Sequence, residues 1–458
     1  LRYIKGGGGA LVYWRRAASA SFFLVRDFGP PAMPTGAATA HLYRPKLVTV
    51  LSEGYGRLAL KRDLLAGLTV AIVALPLSMA IAVASGVSPD RGLYTAIVGG
   101  FVVSALGGSR FQIGGPAGAF IVLVAATLAR FGIDGLILTV MLSGLMLALL
   151  GALRLGSLIR HIPHAVTVGF TAGIAVTILA SQLKDLGGLQ LAGVEPGPVL
   201  PKLAALGHAL PTLKPVALGL GLGVAAVIFA LRRWRPSWPG MLIAVAAAAI
   251  AAALGHLDVA TIGGRFGGIP HGLPAPRLPA FNLPLLRQVF PAALSFTLLG
   301  GIESLLSAKV ADSMTGRMHR SNMELVAQGL ANVASALFGG LSVTGTIART
   351  ATNIRAGAAS PVSGLLHAGF LLAFMLVAAP AASYVPLPAL AGVLVVVSWN
   401  MAEKGEFVHL LRNWRTAIVL MATFGLTVLH DLTAGIVAGC ALAALLALLH
   451  RPVAEEGA

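Results

Sequence analysis

GGSRFQIGGPAGAFIVLVAA, residues 107–126, puts five glycines and a proline where a membrane helix should run unbroken. The helix that could follow, residues 116–129, would be about 21 Å long, too short to cross a bilayer alone. The FQIGG before it reads as extended chain. A second stretch has the same grammar. ALFGGLSVTGTIARTATNIRAG, residues 336–357, aligns under ALGGSRFQIGGPAGAFIVLVA, residues 105–125. Each runs Ala-Leu, paired glycines, a few β-favouring residues, then Gly and a short helix. Irregular backbone at membrane depth is tolerated only where it is buried or lines a cavity. Two half-helices that begin there aim unsatisfied N–H groups and roughly half a positive charge each at one spot. That makes an anion site without a charged side chain. Glycines can also serve close helix packing alone; their recurrence in both halves favours the site.

The rest of the chain supplies the membrane. Of 458 residues, 57% are hydrophobic and 11% charged, and the mean hydropathy is +0.87. A water-soluble surface needs more charge than this. Apolar stretches of spanning length recur from Leu64 almost to His450, and the alternating short strands of a barrel are absent. The expected class is an all-α polytopic membrane protein. The net charge of +17 lies in short loops, which fits membrane orientation and gives no reason to expect a nucleic-acid partner. Cys440 is the single cysteine, so no intramolecular disulfide or Cys-based metal site is expected. No HExxH, Walker A or GxSxG pattern occurs, so no enzyme, metal site or cofactor is expected. GLGLGVAA from Gly219 lies within an apolar span and reads as helix packing.

Fourteen spans are read, at 64–84, 91–106, 116–129, 134–153, 165–181, 215–231, 238–254, 288–311, 323–338, 346–357, 361–379, 385–399, 414–429 and 431–449. The organisation is an N-terminal accessory or disordered segment at 1–55, then a seven-span repeat at 56–254. A Pro/Gly-rich outer loop follows at 255–287, a second seven-span repeat at 288–450, and a short tail at 451–458. SASFFLV before Arg26 is too short for a signal peptide, and Met33 offers an internal start. Basic clusters at 57–62, 154–160, 232–235, 317–320 and 412–415 share one side only if the third and tenth stretches both count as crossings. The expectation is multi-pass placement in the cell's inner membrane with both termini cytoplasmic. An odd number of spans per repeat requires the second to be inverted. Glu303 is a carboxylate in mid-span, costly to bury unless it works or is paired, for example with Lys309. Ser307 lies one turn on along the same face.

These residues resemble the SulP anion transporters, bacterial relatives of the animal sulfate/chloride exchangers and prestin. The resemblance covers about residues 60–450. It rests on DLLAGLTVAIVALPLSMAIAVASGVSP (63–89), GGSRFQIGGPAGAF (107–120), GIESLLSAKVADSMTGRMHRSNMELVAQGLAN (301–332) and TGTIARTATNIRAGAASPVSG (344–364). It implies a seven-plus-seven inverted repeat with core and gate domains. Substrate would lie between the half-helices of segments 3 and 10 and move with the core as an elevator, in a homodimer. Arg349 matches an arginine that lines the anion site in many relatives, with Thr346 and Ala348 beside it. Gly115, Pro116 and Ala117 come from segment 3, and Leu77 and Ser78 follow the helix-breaking Pro76. An acid at position 303 would couple transport to a cation, and Glu with Ser307 suggests protons rather than sodium. Lys309, Asp312 and Arg355 lie near span ends and read as structural. Relatives usually carry a STAS domain after the last span; here the expectation is a tail with none. The implied function is secondary active transport of sulfate, bicarbonate or a C4-dicarboxylate by proton symport. Alternatives are anion exchange without proton coupling, a nucleobase permease of the same fold, and a non-transporting motor or sensor.

Overall fold

The computed structural model describes residues 43–156, 163–193, 195–196, 198–236, 238–279, 281–430 and 432–449. Residues 1–42, Arg160 and the expected tail at 451–458 lie outside the described residues. The chain folds into helices α1 (Lys46–Glu53), α2 (Arg57–Ala84), α3 (Pro89–Tyr94), α4 (Gly100–Leu106), strand β1 (Gly114–Gly115), α5 (Ile121–Ala152), α6 (His164–Gly187), α7 (Val199–His208), α8 (Pro215–Trp234), α9 (Gly240–Leu254) and α10 (Ile262–Phe266). There follow α11 (Leu283–Thr315), α12 (Ser321–Leu337), strand β2 (Thr344–Gly345), α13 (Ile347–Arg355), α14 (Val362–Ala382), α15 (Leu387–Met401), α16 (Lys404–Leu410), α17 (Trp414–Leu429) and α18 (Leu432–Leu449). Among the described residues six helices are long and apolar enough to cross a membrane by length and composition alone.

Residues 43–55, read as part of an accessory or disordered segment, include helix α1, which is tied down by Lys46 N–H donating to Gly107 O at 2.9 Å. The stretch between the fifth and sixth spans also carries a helix, α7, whose Lys202 pairs with Glu195 at 2.8 Å. Helix ends follow local chemistry. The Asn282 side chain accepts from Leu285 N–H at 2.6 Å and starts α11 ahead of the expected 288. Gly316, at φ 68°, ends it.

Helix α5 is two helices joined at a kink. Gly132, at φ 68° and ψ −172°, breaks it where the sequence separates the third and fourth spans. Glycine reaches that backbone region without steric cost. The two-residue strands pair antiparallel, Gly114 with Gly345 and Gly115 with Thr344. Both broken stretches therefore meet at their extended segments.

Packing divides into two groups. Helices α2, α4, α5, α11, α12 and α14 pack mainly on one another; α6, α8, α15, α17 and α18 do the same. The groups meet where α2 lies against α15 and where the turn leading into α5 lies against α6. In a bilayer, helices associate through close backbone approach, which small residues allow. At the α5–α12 crossing a Cβ on Gly144 would sit 2.7 Å from the Gly329 carbonyl and 2.9 Å from Val333 N.

Two buried carboxylates brace the chain on either side of the paired strands. Glu324 of α12 accepts from the amides of Gly108 (2.8 Å) and Ser109 (3.0 Å) just before β1. Asp63 of α2 accepts from the amides of Ala359 (2.6 Å) and Ser360 (3.0 Å), after α13, and from the hydroxyls of Ser360 and Tyr55. Neither is exposed to solvent. Replacing Glu324 with Ala leaves two buried amides without an acceptor. Thermal unfolding in detergent should register a loss of about 2–4 kcal/mol, and Glu324→Gln, which keeps one acceptor oxygen, should lose less. Equal stability of all three proteins would deny the brace.

Candidate anion site

The two half-helices begin within reach of one another because β1 and β2 pair immediately before them. After β1 the chain makes a 3-10 turn at Gly118–Phe120 and enters α5; after β2 it enters α13 at Ile347. Neither start is capped by a side chain. No side chain therefore takes up the first N–H groups of either helix, while Phe120 N–H donates to Ala117 O at 3.1 Å. Ile347 and Ala348 are exposed, and Thr346 and Gly118 partly so.

Arg349, on the first turn of α13, reaches across the pairing. Its side chain is 1% exposed. Nη2 donates to Ser78 Oγ at 3.1 Å and to Pro116 O at 3.4 Å. Ser78 in turn donates to Ala74 O at 2.7 Å, two residues before Pro76. The guanidinium occupies the place where a side chain on Gly115 would stand. Arg349 Nε and Nη1 have no hydrogen-bond partner among the described residues, and none of the carboxylates described there lies in ion-pair distance. A buried charge left unpaired is strongly unfavourable. A bound anion would supply the missing charge and acceptors beside the two helix starts.

The expected residues sort by what they touch. Ser78, Gly115 and Pro116 surround the guanidinium. Ala117 is buried beside them, and Thr346 is held to β1 through its N–H on Ile113 O at 3.1 Å. Ala348 lies at the exposed helix start. Leu77 packs into the main apolar core.

Glu303 is partly buried on α11. Its Oε2 accepts from Thr344 Oγ1 at 3.1 Å. It forms no ion pair with Arg349 or Lys309, so the two charged groups singled out in the sequence do not neutralise each other. Ser307 shares a 3.2 Å hydrogen bond with Thr350 Oγ1, which also accepts from Ile113 N–H. Gln112 Nε2 donates to Ser304 O at 3.1 Å while its Oε1 is unpartnered. Asp312 pairs with His319 at 2.6 Å, and Lys309 and Arg355 are exposed, consistent with end-of-span roles.

Sequence reasoning missed the residues facing the half-helix from the other helix group. A Cβ at Gly118 would lie 3.4 Å from Ile178 Cδ1 of α6 and 3.5 Å from Met401 Sδ of α15. Apolar residues in apolar helices carry no sequence signal of such a position.

The fold and this geometry define a helical membrane protein with a candidate anion site between two broken helices. The chain belongs to the sulfate permease family, whose model matches residues 60–423. It is 43% identical over 394 residues to the putative sulfate transporter YvdB of Bacillus subtilis, covering 85% of this chain and 74% of that one. It is 34% identical to the bicarbonate transporter BicA of Synechocystis, covering 85% of this chain and 70% of that one. Among solved structures it resembles the transmembrane domain of a cyanobacterial BicA (TM-score 0.75, 33% identity, 82% of this chain and 97% of that one). SLC26A9, at TM-score 0.82 and 18% identity over 93% of this chain and 73% of that one, shares the fold. The relatives are named as transporters, not enzymes.

If Arg349 holds the anion, Arg349→Ala should weaken affinity by about 1.5–3 kcal/mol, the worth of a charge-assisted hydrogen bond. Gly115→Ala should do nearly as much by displacing the guanidinium while the protein stays folded. Calorimetric titration of purified protein with sulfate and bicarbonate measures both; unchanged affinity in either variant would separate Arg349 from binding.

Proposed function

We propose that this chain is a secondary active anion transporter that moves sulfate, bicarbonate or a C4-dicarboxylate by proton-coupled, elevator-type alternating access. The observation that carries the reading is the buried guanidinium of Arg349, without a carboxylate, at the junction of two uncapped half-helices. The anion sits against Arg349, Gly115, Pro116, Ala117, Ser78, Thr346 and Ala348, with Leu77 as an apolar wall. The fourteen segments form two inverted repeats, residues 56–254 and 288–450, joined by an outer loop at 255–287. The antiparallel pairing of β1 with β2 supports that symmetry. The group containing α2, α5, α11 and α14 is the core; the group containing α6, α15 and α17 is the gate. The protein works as a homodimer in the inner membrane, termini inside. A nucleobase permease would have no use for an uncompensated guanidinium.

Elevator motion carries Gly118 past Ile178 and Met401. Cysteines at 118 and 401, in a Cys440→Ser background, are placed to crosslink. Oxidation should stop anion exchange in liposomes and reduction should restore it. Full-rate exchange by the crosslinked protein would rule the motion out.

Glu303 takes up the coupling proton, and Thr344 transmits its state to β2, since the two groups are hydrogen-bonded. Glu303→Gln mimics the protonated acid. It should preserve exchange of one anion for another but abolish accumulation driven by an acid-outside gradient. A variant that still concentrates labelled anion on a pH gradient would leave the exchanger without proton coupling as the better reading.

A further inference from the structure

Away from the anion site, the cations around α1 form a second concentration of positive charge. Arg44, Lys46, Arg110, Arg317 and Arg320 gather there. Two carboxylates stand among them, Glu53 and Asp312, and both are engaged, Glu53 by Arg110 and Asp312 by His319. Among the described residues Arg44, Lys46, Arg317 and Arg320 have no carboxylate in ion-pair distance.

The cluster is held in place by neutral groups. Arg320 Nη1 donates to Arg44 O at 2.6 Å and to Thr49 Oγ1 at 2.9 Å. Arg44 Nη2 donates to Ser52 Oγ at 2.9 Å. Burial, followed by the fields of Arg320 and Arg110, pushes the Lys46 ammonium below its ordinary value. Arg320 is lowered by burial and then by Arg44 and Arg110. Orientation rules put positive charge on one side of a membrane, but they do not require it to be crowded and partly buried. Crowding of this kind is relieved by an anion.

The same element carries an apolar face. Val48 and Leu51 of α1 are 45% and 55% exposed, and Leu58 and Leu65 at the start of α2 are 73% and 54% exposed. A short helix that carries Lys46, has Arg44, Arg317 and Arg320 beside it and exposes aliphatic side chains is suited to the plane of a bilayer surface. By composition, residues 1–42 hold one acid, Asp27, against five Lys and Arg.

We propose that Lys46, Arg44, Arg317 and Arg320 form a binding site for the phosphate of an anionic lipid headgroup, with Val48 and Leu51 against its acyl chains. The site is separate from the transport pathway and does not depend on which anion is carried.

The full chain in nanodiscs tests this. Phosphatidylcholine discs are compared with discs containing phosphatidylglycerol, and co-bound lipid is counted by native mass spectrometry after detergent release. Wild type should retain phosphatidylglycerol selectively. A Lys46→Gln/Arg317→Gln protein should retain it roughly 30-fold less, as expected for the loss of two surface cations. Lys46→Arg should restore retention. Unfolding temperatures in pure phosphatidylcholine report whether the variants fold; if the double variant does not, Lys46→Gln alone serves, with a proportionately smaller loss. Equal retention of both lipids by wild type, or undiminished retention by a folded variant, overturns the proposal. Inorganic phosphate added to phosphatidylcholine discs is the remaining arm. If it stabilises the protein as strongly as phosphatidylglycerol does, and in a Lys46-dependent manner, the site takes free phosphate and the lipid assignment falls.

Discussion

A guanidinium buried without a carboxylate constrains everything around it. Arg349 can stand where it does only because position 115 has no side chain, because Ser78 and the Pro116 carbonyl accept from one of its nitrogens, and because two helix starts meet beside it. None of these groups carries a full negative charge. Their dipoles offset part of the desolvation cost and leave an unmet preference for an anion. A carboxylate in the same place would satisfy the arginine permanently and leave no preference for a mobile ligand. The separation of Glu303 from Arg349, each with its own neutral partners, therefore matters as much as the presence of either.

Holding two broken helices together at membrane depth needs backbone groups to be satisfied, and the paired strands do this for two residues on each side. The next residues out are held by Glu324 at Gly108 and Ser109, and by Asp63 at Ala359 and Ser360. In each case a buried carboxylate spends its charge on backbone amides rather than on a cation. The acids most deeply buried among the described residues thus serve architecture, while Glu303 accepts from a single hydroxyl, that of Thr344.

Much of this was legible in the sequence because it is written in glycine, proline and isolated charge. The paired glycines at 107–108, 114–115 and 339–340 located the broken helices. Arg349, Ser78, Gly115 and Pro116 lie together in space. What could not be read was contact between distant residues of ordinary type. Thr344 as the partner of Glu303, Thr350 as the partner of Ser307, and Met401 and Ile178 facing Gly118 depend on helix rotation and depth, which an all-apolar pattern does not encode. Helix α1 was missed for another reason. Its eight residues follow a long glycine- and proline-rich stretch whose composition masked them, although the alternation of Lys46, Val48, Leu51 and Glu53 was there to be seen.

One cross-strand pair has a mechanical meaning. Gly115 lies opposite Thr344 in the two-residue ladder. The first makes room for the guanidinium; the hydroxyl of the second rests on the carboxylate. Two side chains of opposite sign, which do not touch, are therefore linked through a single rung of backbone. If Glu303 releases Thr344, the disturbance has one residue pair to travel before it reaches the wall of the arginine's pocket. That path runs from the Thr344 hydroxyl through the main chain of one rung to Gly115, a distance that involves no helix movement.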